Sequence, residues 1–124
     1  MDLPSKVEVF KLNGNESYLN CYCSLNHKQA VCRAGLSFNN KDIVKILKNQ
    51  KLNFDDFEFR HNIILDNPKW NSISLEIQIP EIKQNKPNHD DIAKRHVDLW
   101  QEVINKLLPR VMNLIQKNGN YNKS

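Results

Sequence analysis

Two runs of alternating side chains flank Asn13-Gly14, and this pair constrains the fold more than any other stretch of the chain. Both residues tolerate a positive φ, which a tight turn between antiparallel strands requires. Residues 6–12 and 17–25 are therefore expected as paired strands, with Val9 opposite Tyr18. A second turn at Asn26-His27 would join residues 18–25 to residues 28–36. That register sets Cys21 opposite Cys32, Tyr22 opposite Val31 and Cys23 opposite Ala30. Side chains alternate along a strand, so Leu19, Cys21, Cys23 and Leu25 share a face with Ala30, Cys32, Ala34 and Leu36. Two strands agreeing on one apolar face support the hairpin.

Beyond this meander, Asn39-Asn40 offers an N-cap for a helix over 41–50, with Ile43, Ile46 and Leu47 as its buried stripe. Residues 57–63 and 73–79 alternate as two further strands, joined through Asp66-Asn67-Pro68-Lys69. Pro80 closes the last strand, and a polar linker over 83–88 holds Pro87. Asn88-His89-Asp90-Asp91 caps the longest helix, and Gly119 stops it. Its apolar stripe includes Ile92, His96, Leu99, Val103, Leu107, Val111 and Ile115. Pro109 falls inside it, removes a donor and clashes with the carbonyl of Asn105, so a kink or two consecutive helices are expected. The order β-β-β-α-β-β-α implies an α+β domain over 1–119, with a five-stranded antiparallel sheet and helices on one face. Residues 120–124 read as a polar tail.

At 124 residues the chain has room for one core. Its hydrophobic fraction of 40% beside 26% charged residues excludes wholesale disorder. No apolar run approaches the ~20 residues of a membrane span. The N-terminus lacks the apolar segment of a secretory signal, so the cytoplasm is the expected compartment. A net charge of +4 and a pI near 9.0 suit an acidic partner. The basic residues are scattered, with one thickening at Lys41, Lys45, Lys48 and Lys51, short of the dense clusters of nucleic-acid binders.

Cys21, Cys23, His27 and Cys32 form the pattern C-x-C-x3-H-x4-C, one residue short of a zinc knuckle in each of its first two gaps. Tetrahedral zinc needs four converging ligands, and cysteines at i, i+2 converge only where the strand breaks. The competing reading, which the hairpin favours, makes all three cysteines small inward-facing core groups. A Cys21–Cys32 disulfide suits the expected pairing but not a reducing compartment. Among His27, His61, His89 and His96, none stands in a catalytic pattern beside a cysteine. His61 shares a strand face with Phe57 and Phe59, and His96 lies on the apolar helix stripe, so both read as packed histidines. Asp55-Asp56 and Asp90-Asp91 stand where elements begin and read as caps. Three glycines, at 14, 35 and 119, cannot build a phosphate loop. No catalytic residue and no cofactor are assigned.

The opposite sheet face carries the anomaly. A half-solvated antiparallel sheet should be polar there, yet Val7, Val9, Tyr18, Tyr22 and Val31 gather on it, with Arg33 at the edge. Such patches mark interaction surfaces, and Tyr and Arg are typical anchors. The alternative is that the last helix crosses over and covers this face. Trp70, beside Pro68, is a further candidate anchor. The expectation is a non-catalytic protein-binding module, a small regulator, inhibitor, immunity factor, chaperone or subunit, whose partner is another protein or a second copy. One alternative is single-stranded nucleic acid stacked on Tyr18, Tyr22 and Arg33, with Lys28 and the lysines of the first helix meeting phosphates. Another is a small zinc module built on Cys21, Cys23, His27 and Cys32.

Overall fold

Asn13 and Gly14 do adopt positive φ, 53° and 81°, and the chain folds back there to pair β1 (Ser5–Leu12) with β2 (Asn15–Asn26). The computed structural model describes residues 5–84 and 88–123; the first four residues, residues 85–87 of the expected polar linker and the last residue of the expected tail lie outside the described residues. Val9 faces Tyr18, as the hairpin predicts.

The next turn differs from the expectation. It occupies residues 27–30, held by the Gln29 amide donating to Asn26 Oδ1 at 2.9 Å and by Ala30 at φ 53°. β3 (Val31–Phe38) therefore pairs with β2 four residues away from the expected register. Cys21 faces Leu36, Tyr22 faces Gly35 and Cys23 faces Ala34, in place of Cys32, Val31 and Ala30. An even slip changes every cross-strand partner but keeps each side chain on its face. The cysteine face is thus retained.

α1 (Lys41–Asn49) starts at Asn40, whose side chain accepts the Asp42 amide at 2.8 Å, and it buries Ile43, Ile46 and Leu47. β4 (Arg60–Ile64) begins three residues after the expected start at Phe57. The preceding segment is held instead by the C-terminal helix. The Glu58 amide donates to Glu102 Oε1 at 3.1 Å, and Lys106 Nζ donates to the Asp56 carbonyl at 2.9 Å. Arg110 forks onto the Asp56 carboxylate, donates to the Asn53 carbonyl at 2.7 Å, and lies 4.7 Å from the Phe57 ring centre. Glu102, Lys106 and Arg110 recur every four residues and so form one stripe of a helix.

β5 (Ser72–Gln78) enters between β3 and β4. Residues expected as a tail supply a sixth strand, β6 (Tyr121–Lys123), against β1. Asn13 fixes this end as well, because its amide donates to the Asn120 carbonyl at 2.9 Å and its side chain accepts the Asn120 amide at 3.0 Å. The result is a six-stranded antiparallel sheet ordered β4-β5-β3-β2-β1-β6, rather than five strands.

The long helix begins at α2 (His89–Glu102), where Asn88 Oδ1 accepts the Asp91 amide at 3.1 Å. It resumes as α3 (Leu108–Asn118) after a π-helical turn over Val103–Leu107, in which the Leu108 amide donates to the Val103 carbonyl. This wider turn immediately precedes Pro109, whose ring would clash with the Asn105 carbonyl in a regular α-helix, so the expected disruption takes the form of one π turn. Leu99, Val103, Leu107 and Ile115 join Ile43 and Leu47 of α1 in one core with Leu19, Cys21, Cys32, Ala34 and Leu36. Both helices pack on the cysteine face. The opposite face has no helical cover among the described residues.

Gly35 of β3 sits closely against Ile73 and Ser74 of β5. A Cβ there would lie 2.5 Å from the Ile73 carbonyl oxygen and 2.7 Å from the Ser74 Cβ. Gly35→Ala should cost about 1–3 kcal/mol, read as a lowered urea midpoint with unchanged slope. The loop clamp makes a second prediction. Hydrogen bonding from Arg110 holds the Asp56 carboxyl at about 2, below its ordinary 3.8. A depressed carboxyl stabilises the fold above its unfolded value and loses that contribution as pH falls through the folded one. Protection of the Glu58 amide, its exchange rate taken relative to the intrinsic rate at the same pH, should therefore fall on acidification from about pH 4 to pH 2. Arg110→Gln, which removes the cause of the depressed pKa, should largely abolish that pH dependence.

Candidate functional site

The face without helical cover is built from the outward positions of β2, β3 and β5, of which Val31, Gly35, Ser37, Ser72 and Ser74 are buried while Tyr18, Tyr22 and Arg33 are half-buried. On β1 it begins with a correction. Pairing shifts between Lys6 and Glu8, leaving Val7 as the extra residue of a bulge that packs against the core. Val7 is not part of the outer patch. Lys6 takes its place, with Nζ 4.5 Å from the Tyr18 ring centre, while Val9 beside Tyr18 is 45% exposed.

The slipped register decides the centre of the face. Tyr22 stands opposite Gly35, where no side chain blocks it, so its phenol reaches across β3 and donates to Ser72 Oγ on β5 at 3.3 Å. Its ring meets Trp70 edge-on, with centres 5.2 Å apart and planes at 75°. Trp70 is held for this contact by Asn67, whose Oδ1 accepts the Trp70 amide at 3.1 Å and the Lys69 amide at 2.8 Å. It remains 41% exposed. The Tyr22–Trp70 pair joins residues far apart in sequence, and the one local signal for it was a glycine inside a strand, which marks a close approach.

Val31, expected on the patch, is buried and contributes packing rather than an anchor. Arg33 is on the face, half-buried, but not as a free guanidinium. Its Nε donates to Glu76 Oε2 at 2.8 Å, and Arg60 Nη2 donates to Glu76 Oε1 at 3.1 Å. The three lie in one row across β3, β5 and β4. Glu76 and Arg60 were not singled out from sequence, because their adjacency depends on β5 inserting between β3 and β4.

The cysteine cluster does not assemble. Cys32 faces Leu25, four residues along β3 from the partner of Cys21, or about 13 Å at ~3.3 Å per residue. That is beyond the reach of a disulfide. All three thiols are free. Burial pushes Cys21 up to about 11 and Cys32 to about 12, and raises Cys23 as well. At neutral pH burial keeps these thiols protonated, the form that reacts poorly as a nucleophile. His27 is exposed in the 27–30 turn, and among the described residues no three His, Cys, Asp or Glu side chains are grouped to hold a metal. His61 stacks on Phe54 at 3.9 Å and 8° rather than sharing a strand face with Phe57 and Phe59. His96 is buried under the sheet, its Nε2 3.3 Å from the Ser24 carbonyl, which can only accept, so Nε2 carries the proton.

No family model matches the chain, and no curated protein or solved structure is significantly similar to it. Among the described residues no helix is long and apolar enough to cross a membrane.

Burial lowers the pKa of His96 from its ordinary 6.5. A base depressed in the fold takes its proton more readily when unfolded, so its neutral form favours folding above pH 6.5 and this contribution is lost as pH falls below that value. Urea midpoints should therefore drop between about pH 7.5 and 5.5, and His96→Leu should flatten that dependence. Thiol labelling at mildly alkaline pH should modify half-buried Cys23 first, with Cys21 and Cys32 reacting only as the protein opens.

Proposed function

We propose that this protein is a non-catalytic binding module whose partner is an acidic protein surface, gripped by the uncovered sheet face. The supporting observation is that both helices pack on the cysteine face while Val9, Tyr18, Tyr22 and Trp70 line the other. Helix burial accounts for the apolar residues of one face only. An aromatic pair locked in place, half-exposed and surrounded by charge, has the makeup of an interface centre with a polar rim. Lys6 and the Arg33–Glu76–Arg60 row, which carries one more positive than negative group, favour negative charge across the interface.

Single-stranded nucleic acid ranks second on this face. Both arginines are spent on Glu76, and sharing a carboxylate leaves them poorly placed for phosphates.

A photo-crosslinking residue at position 70 tests the reading. In cells it should form a discrete adduct with one acidic protein, while the same residue at Gln101 forms none. Trp70→Ala should weaken the purified complex about tenfold or more. Absence of any adduct from positions 9 and 70, or an adduct only with a second copy of this basic chain, would overturn it.

A further inference from the structure

A second feature lies off the aromatic face and does not depend on the reading above. Lys41, Lys45 and Lys48 follow one another along one side of α1, and Lys69 faces them from the β4–β5 turn. Together they line a cavity of about 610 Å³, within the range of small-ligand sites. Its apolar walls are Phe38, Val44 and Leu65.

The charge in this cleft is not compensated. The one acid in the lining, Asp66, is taken up by Lys48. Among the described residues Lys41, Lys45 and Lys69 form no ion pair. Lys41 and Lys45 are also one turn apart, where like charges work against the helix. A concave wall with an excess of one sign, here four lysines against one aspartate, focuses the field and concentrates counter-ions. The side opposite α1 is held in advance: Asn67 and Asn71 bind each other through two hydrogen bonds, at 3.3 and 3.0 Å, and Asn67 accepts the Lys69 amide. Lys41 to Lys48 spans about 10 Å of helix, more than one phosphate touches.

We propose that this cleft binds a small anion carrying two or more linked phosphates, with the lysines as point charges on the phosphate oxygens. Two sources share that chemistry, an inorganic polyphosphate and a nucleoside polyphosphate, and the apolar walls favour the latter by accepting its base.

Calorimetric titration of the full chain with inorganic tripolyphosphate and with ATP, at low salt, tests the site. One-to-one binding at about 100 μM or tighter is expected. Lys45→Gln and Lys69→Gln should each weaken it about tenfold. Lys94→Gln, an equal charge loss at an exposed position of α2, should leave it unchanged. Tighter binding of ATP assigns the site to a nucleoside ligand, and equal binding assigns it to the inorganic anion; either supports the cleft. The proposal is overturned by no heat with either anion at about 1 mM, by cleft variants that bind like the parent, or by Lys94→Gln weakening binding as much as they do. Failure of the protein-partner reading would leave these titrations untouched.

Discussion

The fold rests on burying the cysteine-bearing sheet face beneath α1 and the long C-terminal helix. Leu19, Cys21, Cys32, Ala34 and Leu36 present a surface whose small groups let the helices approach closely, and Leu99, Val103, Leu107 and Ile115 fill it. Burial of this kind contributes roughly 25 cal/mol for each Å² of apolar surface removed from water. It also settles the chemistry of the sulfur atoms. A thiol taken out of water resists ionisation, so the packing that stabilises the molecule silences the groups most suggestive of reactivity.

The C-terminal helix has a second duty, and its geometry reflects both. Its inner stripe belongs to the core, while Glu102, Lys106 and Arg110 hold the segment before β4 through backbone and carboxylate contacts. The π turn between α2 and α3 falls within this stretch. One extra residue there accommodates Pro109 and lets the helix continue over the sheet. A stretch with strand-like alternation, Phe57 to Phe59, thereby becomes a docked loop, because ion pairs, hydrogen bonds to the backbone and cation–π contacts from the helix replace the ladder it would otherwise enter.

With the helices committed to one face, the other is left to smaller devices. A bulge turns Val7 inward, a glycine lets Tyr22 cross a strand, and Glu76 draws two arginines together. The exposed aromatic pair and the lysine-lined cleft come from different parts of the chain and differ in chemistry. One offers flat amphipathic area, the other unpaired positive charge in a hollow.

Much of this was legible in local sequence, and the parts that were not share one cause. Alternation placed Cys21, Cys23 and Cys32 inward with Tyr18 and Tyr22 outward, since a strand's faces are set by residue parity. Asn13-Gly14 announced its turn, and Asn40 and Asn88 their helices, because caps and tight turns depend on neighbours in the chain. The β2–β3 register, the insertion of β5 between β3 and β4, and the pairing of residues 121–123 with β1 depend on energies between distant segments, to which periodicity is blind. Tyr22 meeting Trp70, Arg33 sharing Glu76 with Arg60, and Lys69 confronting α1 all follow from those long-range choices. Parity determined which way the paired strand residues point, except where the bulge turns Val7 inward; only the assembled sheet decided what each would find there.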